Sequence, residues 1–183
     1  MANILLDQSQ LDSLISAINA RSKSNLLYEY VVLGSAVTSI IIPNLDILTH
    51  KKYFVEIDMI NATATASILK LYVNSDITPA NYASQSLHSN GATTTSASLS
   101  DAQVGVCDLS SQCNINANFS LSSSGSLRWS SHCSRGTATN STNFSVTGFK
   151  KSTIANLTQF TFTASVALSI GIGSRIRIFR GDQ

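Results

Sequence analysis

From Phe160 to Ile170 every second residue is apolar: Phe160, Phe162, Ala164, Val166, Leu168 and Ile170, with Thr161, Thr163, Ser165 and Ser169 among the positions between. Successive side chains of a strand point to opposite faces, so this pattern fits a half-buried strand with a hydroxyl-lined outer surface and fits no helix. The alternation returns from Lys52 to Ile60, where Tyr53, Val55, Ile57 and Met59 share one face and Glu56 and Asp58 the other. β-rich runs also cover residues 26–33, 37–42, 66–73, 93–99, 119–129, 143–149 and 174–180. Pro43-Asn44, Asn74-Ser75-Asp76 and Gly171-Ile172-Gly173 supply turns between them. Short strands punctuated in this way predict an all-β fold, an antiparallel sandwich of the jelly-roll kind. Between Tyr82 and Asn140, where Gly, Ser, Asn and Ala dominate, long loops at one end of the sandwich are expected.

One segment breaks the period. Within residues 4–22, Leu11, Leu14, Ile15 and Ile18 fall at i, i+3, i+4 and i+7, which lines one face of a helix. Ser9 and Asp12 have the spacing of a capping box at its start. Ile4, Leu11 and Ile18 also recur every seven residues, a run shorter than the three or four heptads that define a coiled coil. A helix this short is marginal alone in water. It therefore packs on something, either the domain's own sheet or partner copies and a larger particle. In the second case Ile4, Leu11, Leu14, Ile15 and Ile18 form an oligomerisation or docking stripe. A polar linker, Arg21 to Asn25, divides an N-terminal helical segment (1–25) from a β-sandwich domain (26–183).

Composition narrows the surface. Charged residues make up 12% of the chain, about half the roughly 25% usual in globular domains, while apolar residues reach 43%. Disorder pairs low hydrophobicity with high charge, and this chain has neither. Its polar surface is built from neutral Ser, Thr and Asn, densest between Asn61 and Thr147. A net charge of +2, spread along the chain, gives no electrostatic footprint for nucleic acid. No apolar run approaches the ~18 residues of a membrane span. The N-terminus lacks the basic stretch and apolar run of a signal peptide, which predicts synthesis in a cytoplasm without secretion. The sequons at Asn61, Asn118, Asn140, Asn143 and Asn156 then carry no weight.

The material for catalysis is poor. Glu29 and Glu56 are the only glutamates, and His50, His88 and His132 stand singly. No nucleophile-elbow, zinc-protease or phosphate-loop pattern occurs. A hydrolase needs a base held beside its nucleophile, and a glycosidase usually needs a carboxyl pair. A non-enzymatic protein without a cofactor is expected. Cys107, Cys113, His132 and Cys133 have the chemistry of metal ligands, but the first gap is too long for a zinc knuckle. His132 and Cys133 would also point to opposite faces of a strand. Buried free thiols are expected instead, with Cys107 and Cys113 the pair that an oxidising environment would join. Trp129, Tyr28 and Tyr30 are the ligand-binding candidates, each either core or a stacking platform for a sugar. Arg175 and Arg177 share the face away from the core, as a solvated stripe or as partners for carboxylates of a neighbouring subunit. Arg180-Gly181-Asp182 spells the tripeptide that integrins recognise, here a coincidence where a strand runs out.

Residues 154–180 resemble the closing strands of bacteriophage virion proteins. There an alternating strand leads into a Gly-x-Gly-Ser turn, here Gly171 to Ser174, and then a short strand like Ser174-Arg175-Ile176-Arg177-Ile178-Phe179-Arg180. A short N-terminal helical segment before a Ser/Thr/Asn-rich β-domain is similar to phage tail-fibre, head-fibre and capsid decoration proteins. The resemblance implies a jelly-roll-like domain, often a homotrimer, attached to other virion proteins by its N-terminal part. The expected function is then structural: an oligomeric β-domain on the virion that stabilises the particle or contacts a host-surface glycan. The alternative is a free carbohydrate-binding β-sandwich module.

Overall fold

The computed structural model describes residues 9, 12, 25–89, 94–136 and 141–181. The apolar stripe Ile4, Leu11, Leu14, Ile15 and Ile18 lies outside them; Ser9 and Asp12, which are described, are helical. The β-domain begins with β1 (Leu26–Val31) and β2 (Ser39–Ile42), followed by a single helical turn, α1 (Ile47–His50). Then come β3 (Lys52–Ile60), β4 (Ser67–Val73), β5 (Tyr82–Ser89), β6 (Thr94–Leu99) and β7 (Gln103–Cys107). β8 (Gln112–Leu121), β9 (Leu127–Gly136), β10 (Ser141–Lys150), β11 (Phe160–Ala164) and β12 (Arg175–Arg180) complete the order.

All pairings are antiparallel and form two sheets, β1-β12-β3-β8-β9-β10-β5-β6 and β2-β11-β4-β7. Set aside β5–β6 and β9–β10, and the chain crosses between sheets at every step except β4 to β7, which are neighbours in the smaller sheet. What remains is β1-β12-β3-β8 facing β2-β11-β4-β7, the double-sheet strand order of a jelly roll. The two extra hairpins are insertions, one between β4 and β7 and one between β8 and β11. They join edge to edge through the β10–β5 pairing and double the width of one sheet.

The inner faces meet in one core. An aromatic chain runs through it: Tyr53 and Phe160 are 5.9 Å apart between ring centroids, Phe160 and Phe119 4.8 Å, Phe119 and Trp129 6.3 Å, and Trp129 and Tyr82 6.3 Å. It links the base sandwich to the inserted hairpins. Burying side chains of this size dominates the energetics of a core. Val55, Ile57, Ile176 and Ile178 fill the space beneath β3 and β12 as their alternation predicts.

Strand β7 is an edge of the smaller sheet, and unpaired edge groups invite strand addition. Side chains from the facing β9 cover it. Trp129 Nε1 donates to Gln103 O at 3.1 Å, Ser131 Oγ to Val104 O at 2.7 Å and Cys133 Sγ to Val106 O at 3.2 Å. Gly105 permits this approach, since a Cβ there would lie 2.5 Å from Ile115 Cδ1.

Three expectations are corrected. The described residues between 82 and 136 build strands β5 to β9, not long loops, and a turn at Ser122 to Ser126 splits the strand expected at 119–129. Gly125 closes that turn with φ +78°, where a side chain would be strained. The strand from Phe160 ends at Ala164 and does not continue to Ile170. The chain turns away there, Leu168 takes φ +55° and is exposed, and Ile170 returns to bridge Val37 and Asn61.

Candidate functional site

The outward side of the eight-stranded sheet is a broad open face, and strand registers place its residues in transverse rows. Its charges gather at the β1-β12-β3 end. Arg177 lies 3.2 Å from Glu56 and 3.1 Å from Asp58, and Arg175 lies 3.5 Å from Glu29. The arginines expected to serve a solvated stripe or a neighbouring subunit are thus paired within the chain. Asn114 extends the network by donating to Asp58 at 2.7 Å, and Asn116 donates to Asn114 at 2.6 Å.

Across β8 and β9 the face becomes neutral, with Asn114, Asn116 and Asn118 beside Ser134, His132 and Ser130 in register. Over the inserted hairpins it sinks into two adjoining hollows. The larger, about 720 Å3, is lined by Arg128, Phe149, Thr147, Ala83, Gln85, Ser98, Leu99 and Ser100, together with Ser84, Trp129 and Gly148. The smaller, about 310 Å3, shares Gln85 and Thr147 and adds Leu87, Ser96 and Ser145. Registers put Arg128 opposite Phe149, Phe149 opposite Ala83, Thr147 opposite Gln85, and Gln85 opposite Ser98, all on this outward face. Phe149 is 46% exposed and Leu87 51%. On β10 the outward set is Asn143, Ser145, Thr147 and Phe149, so Phe149 is a ring in a polar register.

Trp129 approaches this site from beneath. It is buried, its indole bonds Gln103, and its ring fills the space where Gly148 lacks a side chain. Tyr28 and Tyr30 lie at the far end of the sheet, half-buried and packed against the core. The three aromatic candidates are therefore not brought together, and none is an exposed platform. Sequence reasoning missed Phe149, Leu87 and Gln85. The signal was an apolar residue on the polar alternation of its strand, legible only once the strand's inward side was known.

The thiols of Cys107, Cys113 and Cys133 are free and buried. Contact with both neighbouring thiols, together with burial, holds that of Cys113 far above its ordinary pKa. His132 faces outward, opposite in sense to Cys133, and its Nδ1 meets Ser145 Oγ at 2.8 Å. Of the integrin-type tripeptide, Gly181 N donates to Lys52 O at 2.9 Å, and Asp182 lies outside the described residues.

At the margin of the insertion, Lys150 is buried and bonds Asp76 while its ammonium lies 4.9 Å over the Tyr82 ring. Burial tends to raise the Asp76 pKa, but hydrogen bonds from Lys150 and Asn81 outweigh it and hold the carboxyl below its usual range. Burial pushes Tyr53 and Tyr82 up to about 12.

No protein-family model matches the chain, and no curated protein matches it in sequence.

Proposed function

We propose that the chain is a non-enzymatic structural component of a bacteriophage virion, an oligomeric jelly-roll domain displayed as a tail fibre, head fibre or capsid decoration. It stabilises the particle or contacts the host surface. The observation that carries this reading is the strand order. Double-sheet jelly rolls recur in viral capsid and lectin domains, and here one sheet is widened into a charge-poor face suited to packing or recognition. The likeness to phage proteins in residues 154–180 supports it as analogy, since a fold hosts many functions.

The apolar stripe of residues 4–22 serves as the attachment element, on partner copies in a homotrimer or on other virion proteins. Mass spectrometry of purified particles, with light scattering on the isolated chain, tests the reading. The chain is expected in the particles and trimeric in solution. A monomer absent from every particle fraction would overturn it. A second reading, a free carbohydrate-binding module, is favoured by the hollows on the sheet and predicts that second outcome.

A further inference from the structure

We infer that the paired hollows over β9, β10, β5 and β6 are a binding groove for an acidic glycan, with Phe149 and Leu87 as its apolar floor and Arg128 as its anion contact. This names the ligand for the host-contact part of the proposed function and rests on that reading only for where the glycan comes from. Sugars present apolar C–H faces beside a rim of hydroxyls, and a site for them needs both an exposed ring and side chains free to donate or accept. The groove supplies both.

The hydroxyls and amide of Gln85, Ser96, Ser98, Ser100 and Thr147 make no hydrogen bond to other described side chains, so their capacity is open to a ligand. Hydroxyls serve as donor or acceptor as required, and the amide offers both at once. The hollows adjoin through Gln85 and Thr147, and their joint size suits a short oligosaccharide, ligand pockets running from roughly 300 to 1,000 Å3.

Charge selects the class. Among the described residues no carboxylate lines either hollow, and Arg128 is the single charged one that does. It forms no ion pair among the described residues, whereas Arg135, Arg175 and Arg177 all do. A planar guanidinium left open beside a ring matches the carboxylate of a uronic or sialic acid. One cation is too few for a nucleic-acid backbone, whose binding depends on neutralising several phosphates.

The test is calorimetry of the full-length chain with trigalacturonic acid and with maltotriose, alongside an array of acidic and neutral glycans. Acidic oligosaccharides are expected to bind and neutral ones to bind at least tenfold more weakly. Arg128→Ala and Phe149→Ala should each weaken acidic binding tenfold or more while circular dichroism stays unchanged. Phe54→Ala, on the same face but outside the groove, should leave binding intact. No acidic glycan bound, or binding indifferent to both groove substitutions, overturns the inference. Because binding is read on the isolated chain and display on particles, an empty groove leaves virion display standing, and a filled groove on a chain absent from particles leaves the groove standing.

Discussion

The Trp129 ring occupies the volume that a side chain at position 148 would need: a Cβ built on Gly148 falls 2.2 Å from Cζ2 and 2.4 Å from Cε2. A glycine inside a strand marks such a close approach, and here it lets β9 and β10 stack the indole under the sheet. Gly148→Ala is expected to destabilise the domain by about 2 kcal/mol through overpacking. Urea denaturation measures it. In a Trp129→Leu background the same change should cost much less, because the clash it creates has gone.

The β7 edge depends on side chains of the opposite sheet. Ser131→Ala leaves the Val104 carbonyl without its 2.7 Å donor in a buried position. A loss of about 1–3 kcal/mol is expected, the cost of an unsatisfied buried polar group. Ser130→Ala, one residue earlier on the exposed face, should change stability by less than about 0.5 kcal/mol.

Stability should fall at both ends of the pH range. The Asp76 pKa is lowered in the fold, so its contribution is present above the unfolded value near 3.8 and is lost as pH falls through the folded one. Thermal midpoints should drop below about pH 4, and Asp76→Asn should flatten that decline while lowering stability at neutral pH. At the alkaline end the sign is reversed in origin. Tyr53 and Tyr82 titrate near 12 when folded against 10 for an ordinary tyrosine, so the unfolded chain releases protons first and stability decreases as pH rises past 10. Absorbance at alkaline pH should show these phenols ionising near 12 while the domain stays folded, and earlier once it is unfolded.

The three cysteines should resist a thiol reagent such as dithionitrobenzoate in the native protein and react fully in guanidinium. Reaction of any of them within minutes under native conditions would contradict their burial.

How far the sequence reveals the fold depends on contrast between the two sides of each strand. β3 was legible because Tyr53 to Met59 are large and apolar against Glu56 and Asp58, and β12 because isoleucines alternate with arginines. β5 and β9 were not, since their inward sides include Ser84, Ser86 and Ser131 among the apolar residues. Ser131 is inward for a reason no periodicity encodes: it caps a carbonyl contributed by another sheet. Trp129 had the spacing of a core residue, with Leu127 two before it and Cys133 four after, and core is the more frequent place for an indole, yet one on a Ser-rich strand also reads as a binding platform. The groove itself was hidden because its walls come from strands that become neighbours only through the β10–β5 pairing.

The insertion of two hairpins into a complete sandwich has a consequence for how such a protein changes over generations. Stability is held by residues on one side of β9, β10 and β5, while the groove is written on the alternate positions of the same strands. Arg128, Thr147, Phe149, Gln85 and Leu87 are thus open to replacement one at a time without disturbing Trp129, Val146 or Tyr82 beneath them. A surface organised in this way can change residue by residue while its scaffold stands still.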